Sequence, residues 1–155
     1  MKLKIHSKAP NFKLPNQEGE TVELSKLKKN IILFFYPKDS TPGCTLEAIS
    51  FSKSLQEFTK LNCLVFGISK DSLKKHQNFI QKSNLLVNLL SDENQKVCES
   101  YGVWVEKSMY GRKYMGIERT TFLISDKNKI INIWPKVKVK NHVEEVLEYT
   151  KSSLS

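Results

Sequence analysis

The sequence predicts an α/β fold, and three observations carry that expectation. Ile31-Ile32-Leu33-Phe34-Phe35-Tyr36 and Cys63-Leu64-Val65-Phe66-Gly67-Ile68-Ser69 are nearly continuous apolar runs, the pattern of strands buried on both faces. Each is followed by apolar residues at helical spacing: Ala48, Phe51, Leu55, Phe58 and Leu61 after the first, and Leu73, Phe79 and Ile80 after the second. Near the C-terminus, Thr120–Ile124 and Lys129–Trp134 flank the turn Asp126-Lys127-Asn128 and lead into an amphipathic segment. Strands alternating with helices, then a hairpin and a last helix, describe a sheet covered by helices.

Taken in order, Ala9-Pro10-Asn11-Phe12-Lys13-Leu14-Pro15 alternates apolar and polar residues between prolines, as a short edge strand does. Asn16–Glu20 reads as a turn and Thr21–Leu24 alternates again, so an N-terminal hairpin is expected. Ser25–Asn30 reads as a helical turn or loop before the strand at 31–36. The next helix is expected at about 42–61, then the strand at 63–69, then a helix capped by Asp71 or Ser72 and running to about Ser83. Leu86–Leu90 is a third strand, Asp92-Glu93-Asn94 opens a short helix at 95–101, and Gly102 stops it. Trp104–Glu118 shows no clear period and reads as an ordered loop. Asn141 is placed to cap the final helix, with Val143, Val146, Leu147 and Leu154 facing inward.

The chain has 155 residues, enough for one domain, 1–155, with a real core. Met1-Lys2-Leu3-Lys4-Ile5-His6 has no apolar stretch behind its charges, so no signal peptide is expected. No apolar run approaches the length of a membrane span. Cys44, Cys63 and Cys98 are odd in number and not closely paired, which argues for a reducing compartment, the cytoplasm. The net charge of +9 is spread over scattered lysines without interleaved aromatic residues, so a solvated surface is expected and nucleic-acid binding is not. His6, His76 and His142 lie far apart, without metal-ligand spacing, and are expected at the surface. No metal or cofactor is expected.

The stretch between the first strand and its helix carries chemistry. In Pro37-Lys38-Asp39-Ser40-Thr41-Pro42-Gly43-Cys44, Thr41 suits an N-cap and Pro42 the first helical position. Gly43 allows close approach to the backbone. Cys44 becomes the third helical residue, where free N–H groups and the helix dipole favour a thiolate. A lone cysteine is commonly a small buried hydrophobe; this one has the setting of a nucleophile on a rigid support. Only Arg112 and Arg119 among 25 basic residues are arginines, and a lysine-rich chain keeps arginine where a fixed planar fork is needed.

The motif Pro37-x-x-x-Thr41-x-x-Cys44, spelled Tyr-Pro-Lys-x-x-Thr-Pro-Gly-Cys-Thr, resembles the signature of the peroxiredoxins in their bacterioferritin-comigratory (PrxQ) branch. Similar text continues through Gly67-Ile68-Ser69, Leu90-Ser91-Asp92, Tyr101-Gly102-Val103-Trp104, Gly111, Gly116-Ile117 and Arg119–Ile124. The resemblance implies a thioredoxin-like three-layer sandwich with an N-terminal β-hairpin extension. It also implies a thiol peroxidase that passes through a cysteine sulfenic acid. Cys44 would be the peroxidatic nucleophile and Thr41 would hydrogen-bond the peroxide. Arg119 would stabilise the thiolate and hold the peroxide oxygens, with Pro37 shielding the site and Glu47 supporting Arg119. Arg112 receives no role.

One departure stands out. The branch's usual resolving cysteine sits five residues after the peroxidatic one, where this chain has Ile49, and 71–84 holds no cysteine. A one-cysteine cycle is expected, with Cys63 buried and Cys98 about half exposed. Thioredoxin, or glutaredoxin with glutathione, would be the reductant of a monomer. The rival reading is a thioredoxin-like redox-sensing or binding module without efficient turnover.

Overall fold

One strand with two apolar faces sets the architecture. Ile31, Leu33 and Phe35 point to one side and Ile32, Phe34 and Tyr36 to the other, all fully buried, so the sheet must be covered on both faces. The computed structural model describes residues 3–154; Met1 and Lys2, where the N-terminal reading begins, lie outside the described residues. In chain order the elements are β1 (Lys13–Pro15), β2 (Thr21–Glu23), a 3-10 turn (Leu24–Lys26), β3 (Asn30–Phe35), α1 (Pro42–Lys53), α2 (Leu55–Lys60), β4 (Cys63–Ser69), α3 (Leu73–Ser83), β5 (Asn88–Ser91), α4 (Lys96–Ser100), β6 (Trp104–Met109), β7 (Arg112–Ile117), β8 (Thr120–Ile124), β9 (Ile130–Trp134) and α5 (His142–Leu154).

The central sheet has the order β5-β4-β3-β8-β9. β3 is parallel to β4 and antiparallel to β8. On one face Ala48, Phe51, Phe58, Phe79, Val143, Val146 and Leu147 bring α1, α2, α3 and α5 onto Ile32, Phe34 and Tyr36. On the other, Phe12, Leu14, Leu24, Val97, Tyr101 and Val103 close over Ile31, Leu33 and Phe35. The expected N-terminal hairpin is there, with β1 and β2 antiparallel in the register Leu14↔Val22. The result is the thioredoxin-like α/β sandwich anticipated above.

The expected helix at 42–61 is broken at Ser54, which leaves helical geometry (ψ 3°) between α1 and α2. Serines surround the break: Ser50 bonds back to the Leu46 carbonyl at 2.8 Å, and the Ser52 hydroxyl accepts the Leu86 N–H at 2.9 Å. The loop expected at 104–118 is instead the antiparallel ribbon β6–β7. Met109, Tyr110, Arg112, Lys113, Tyr114 and Met115 on it are exposed, so no buried face imposed a period of two on the sequence. Its turn, Tyr110-Gly111, has φ of 53° and 77°, the left-handed pair of a type I′ hairpin. At the head of α5, Asn141 adopts a positive φ of 61° and its carbonyl accepts the Glu145 N–H at 3.2 Å.

Two expectations about side chains fail. His76 and His142 are buried, and only His6 lies at the surface. Cys98 is also fully buried, not half exposed, because α4 packs it with Val97 and Tyr101 against the sheet.

Candidate active site

β3 is followed by the buried Tyr36, and the chain then crosses to α1 through Pro37–Thr41. Pro37, Lys38 and Ser40 are exposed, and Ser40 takes a φ of 62°. Thr41 sits at the N-cap position in extended geometry, but its side chain caps nothing. Its hydroxyl donates to the Lys38 carbonyl at 2.9 Å, and its own carbonyl accepts the Thr45 N–H at 2.8 Å. Pro42 opens the helix, Gly43 follows, and Cys44 lies in the first turn at 1% exposure. There the unpaired amides of the helix start favour negative charge on Sγ.

Sheet register brings the arginine to this turn. Phe35 pairs with Thr120 across β3 and β8, so residue 119 stands beside the chain that leaves β3. Arg119 Nη2 donates to Cys44 Sγ at 3.2 Å, and Nη1 donates to Glu47 Oε1 at 2.7 Å. A planar fork fits two acceptors one helical turn apart. A Cβ on Gly43 would lie 3.3 Å from Arg119 Nη2, so the absence of a side chain there lets the guanidinium close on the thiol.

Glu47 is 0% exposed, and its Oε2 has no hydrogen-bond partner among the described residues. Burial pushes its carboxyl up to about 7 against the pull of Arg119. Arg119 remains charged throughout the range in which proteins are folded. His142, also close to Arg119, is pushed down to about 4, first by burial and then by that cation. It is a neutral core residue whose Nε2 lies 2.8 Å from the Thr121 hydroxyl, with its ring edge-on to Phe51 and Trp134.

Cys44, Arg119 and Glu47 are therefore joined directly, and Thr41 and Pro37 lie in the loop beside them. Pro37 lines a cleft of about 330 Å³ with Lys38, Trp104, Lys107 and Tyr114. Arg112 stands apart at the tip of the β6–β7 ribbon. Sequence reading missed Lys107, half-buried on β6, whose ammonium is depressed first by burial and then by Arg119. No periodic signal marks a residue on an exposed ribbon. Among the described residues no cluster of His, Cys, Asp or Glu is arranged to hold a metal, and no helix is long and apolar enough to cross a membrane.

The other thiols are remote from Cys44 in kind and place. Burial pushes Cys63 up to about 12 and Cys98 higher still. Cys98 belongs to the core on the opposite face of the sheet from Cys44. Cys63 pairs with Asn30 at the start of β3, about 17 Å along the strand from the end that leads to Cys44, at about 3.3 Å per residue.

The profile of the AhpC/TSA family matches residues 5–133. The chain is 54% identical over 148 residues to a protein of Coxiella burnetii provisionally named peroxiredoxin Bcp, covering 95% of this chain and 98% of that one. It is 48% identical over 152 residues to the peroxiredoxin Bcp of Bacillus subtilis, covering 97% of each. A cysteine-to-serine variant of Xylella fastidiosa PrxQ superposes with a TM-score of 0.94 at 35% identity, over 100% of this chain and 99% of that one. The Xanthomonas campestris bacterioferritin comigratory protein, in a trapped intermediate/ligand complex that bears on its alkyl peroxide reduction activity, superposes with a TM-score of 0.89 at 38% identity, over 93% and 92%.

Proposed function

The chain belongs to the AhpC/TSA family, in its peroxiredoxin Bcp/PrxQ branch, and from that premise we propose that Cys44 reduces hydrogen peroxide and organic hydroperoxides in a one-cysteine cycle. The observation that carries this reading is the Arg119 fork, 3.2 Å from Cys44 Sγ and 2.7 Å from Glu47. The Cys44 thiolate attacks one peroxide oxygen, the O–O bond breaks, and its electron pair leaves on the other oxygen. That oxygen takes a proton and departs as water or alcohol, and Sγ becomes a sulfenic acid. Arg119 lies where charge moves from sulfur to oxygen, so it opposes the barrier electrostatically. Thr41 already donates to the Lys38 carbonyl, which leaves its oxygen free to accept the peroxide O–H. Pro37 walls the loop on the solvent side, and Glu47 holds the fork in orientation.

Reduction of the sulfenic acid is assigned to an external thiol. It condenses with Sγ to a mixed disulfide and releases water; a second thiol then frees Cys44. Two placements support this: Cys98 packs on the opposite face of the sheet from Cys44, and Cys63 opens β4 at the end of the sheet away from Cys44, whereas a disulfide needs Cα atoms within about 7 Å. Thioredoxin, or glutaredoxin with glutathione, supplies that thiol to residues 1–155, acting as one monomeric cytoplasmic domain.

The test is intact mass after one equivalent of peroxide, with turnover measured beside thioredoxin and beside glutathione plus glutaredoxin. A gain of one oxygen, trapped by dimedone at Cys44, is expected, and Cys44→Ser should abolish it because an alcohol supplies no thiolate at neutral pH. A loss of two hydrogens with a Cys44–Cys98 or Cys44–Cys63 peptide would overturn the one-cysteine cycle. Undiminished turnover in Cys44→Ser would overturn the assignment of the nucleophile.

A further inference from the structure

The loop between β3 and α1 is largely exposed, yet one residue in it faces inward. Asp39 is buried between the exposed Lys38 and Ser40. Its Oδ1 accepts the Tyr36 hydroxyl at 2.5 Å, its Oδ2 lies 2.7 Å from His76 Nδ1, and its N–H donates to Asp71 Oδ2 at 2.8 Å. Asp71 is held in turn by the Ser69 hydroxyl at 2.8 Å, and the Ser91 hydroxyl donates to its carbonyl. His76, on α3, is 0% exposed, and its Nε2 lies 3.0 Å from the Leu90 carbonyl in β5. A carbonyl only accepts, so Nε2 carries a hydrogen. The ring is then bonded at both nitrogens wherever the proton between Nδ1 and Asp39 resides. Burial, and after it the Asp39 charge, push the Tyr36 phenol well up, so Tyr36 stays a donor.

We infer that His76 is a positioning residue of the peroxide site, acting through Asp39 to hold the loop that aims Thr41; this rests on the reading of Cys44 as the peroxide-reducing thiol. The loop does not fix its own shape, since Ser40 holds a left-handed φ of 62° that a non-glycine residue adopts at a cost. Asp39 is the loop side chain tied to the interior, and the tie acts on its neighbour. The Lys38 carbonyl orients the Thr41 hydroxyl at 2.9 Å, so the backbone at 38–39 determines where the lone pairs of Thr41 point. Arg119 reaches Cys44 separately, from just before β8. The network therefore governs how peroxide is oriented and leaves the thiolate itself unaffected.

Two substitutions separate this role from mere packing. His76→Asn places an amide N–H near Nδ1 and keeps the bond to Asp39; His76→Gln places one near Nε2 and keeps only the bond to Leu90. Two rates are read for each full-length variant: oxidation of Cys44 by hydrogen peroxide, and its alkylation by iodoacetamide, which needs the thiolate without peroxide orientation. His76→Gln is expected to slow the peroxide step on the order of tenfold or more, with alkylation within about twofold of wild type. His76→Asn is expected to hold both rates within about threefold, the precision at which one retained bond is distinguished from its loss. Equal peroxide rates in the two variants, or a parallel fall in alkylation, would overturn the inference. If His76→Gln does not fold, Asp39→Asn against Asp39→Ala poses the same contrast, because a carboxamide can donate to Nδ1 of neutral His76 while still accepting from Tyr36. Wild-type Cys44 that fails to react with peroxide defeats the functional reading itself; a reactive wild type with no contrast among variants defeats this inference alone.

Discussion

Arg119→Lys keeps the charge at the candidate site and removes the fork, so it separates two accounts of what arginine does. The guanidinium uses one nitrogen for Cys44 Sγ at 3.2 Å and another for Glu47 Oε1 at 2.7 Å. A lysine ammonium is a single compact centre, and the fully buried Glu47 carboxylate offers it the closer partner. The contact to Sγ is then the one lost. A charge-assisted hydrogen bond contributes about 1.5–3 kcal/mol, which would be about ten- to 150-fold in rate if all of it were realised at the transition state. Much of it is already made to Sγ in the resting site, and only the part that strengthens as charge moves onto the departing oxygen speeds the reaction. The lower end, on the order of tenfold, is therefore expected. Stopped-flow oxidation of Cys44 under pseudo-first-order peroxide gives the second-order rate directly. An unchanged rate in Arg119→Lys would refute the fork argument and leave net charge alone as the contribution.

Two further outcomes follow from buried positions, one in the candidate site and one in the core. Glu47 has its carboxyl raised from the ordinary 4.5 to about 7 by burial. Its contribution to stability is therefore complete below about pH 4.5 and is lost as pH rises through about 7. The size is on the order of 3 kcal/mol. Urea unfolding of Glu47→Gln across that window should lack this part of the pH slope, and parallel slopes in the two proteins would count against it. Gly67 in β4 has no room for a methyl group, since a Cβ would lie 2.7 Å from Phe34 Cζ and 2.8 Å from Leu89 Cδ2. Gly67→Ala should destabilise by about 1–3 kcal/mol through overpacking, read as a lower denaturant midpoint; an unshifted midpoint would show that the core yields there.

What the sequence displayed and what it hid follow the burial of each element. β3 and β4 were legible because strands covered on both faces are mostly apolar, and each run is short and closed by a turn signal, which separates it from a buried helix. The β6–β7 ribbon was not legible, because neither of its faces is buried over most of its length and Tyr110 is fully exposed. Hydrophobic alternation records a half-buried strand and is silent about an exposed one. His76 was open to a better reading. It lies three residues after Leu73 and three before Phe79, on the inward stripe of α3, and its burial follows from that spacing. Residue type suggested the surface, and position decided otherwise. The burial of Glu47, one turn before the buried Phe51 on α1, follows from the same kind of spacing, whereas its expected place beside Arg119 came from the family resemblance. Cys44 was singled out by its local setting and Thr41 and Arg119 by the resemblance, whereas the convergence of Arg119 on Cys44, 75 residues apart, depends on the β3–β8 pairing and on no short-range signal.

That pairing also explains why the site sits at this end of the sheet. β3 has a parallel neighbour, β4, and an antiparallel neighbour, β8. The chain leaving β3 therefore lies between the end of β4, which leads into α3, and the start of β8. Just before β8 stands Arg119, whose charge reaches the sulfur. From α3 comes His76, whose ring holds the loop through Asp39. Cys44 is fixed by neither, because it belongs to the first turn of α1, which Ala48 and Phe51 seat on the core. Thiol, cation and loop are thus anchored at three different places: the first turn of α1, the residue that precedes β8, and His76 on α3. Substitution at Arg119 should consequently alter how strongly Sγ is stabilised, while substitution at His76 should alter how peroxide is presented to it.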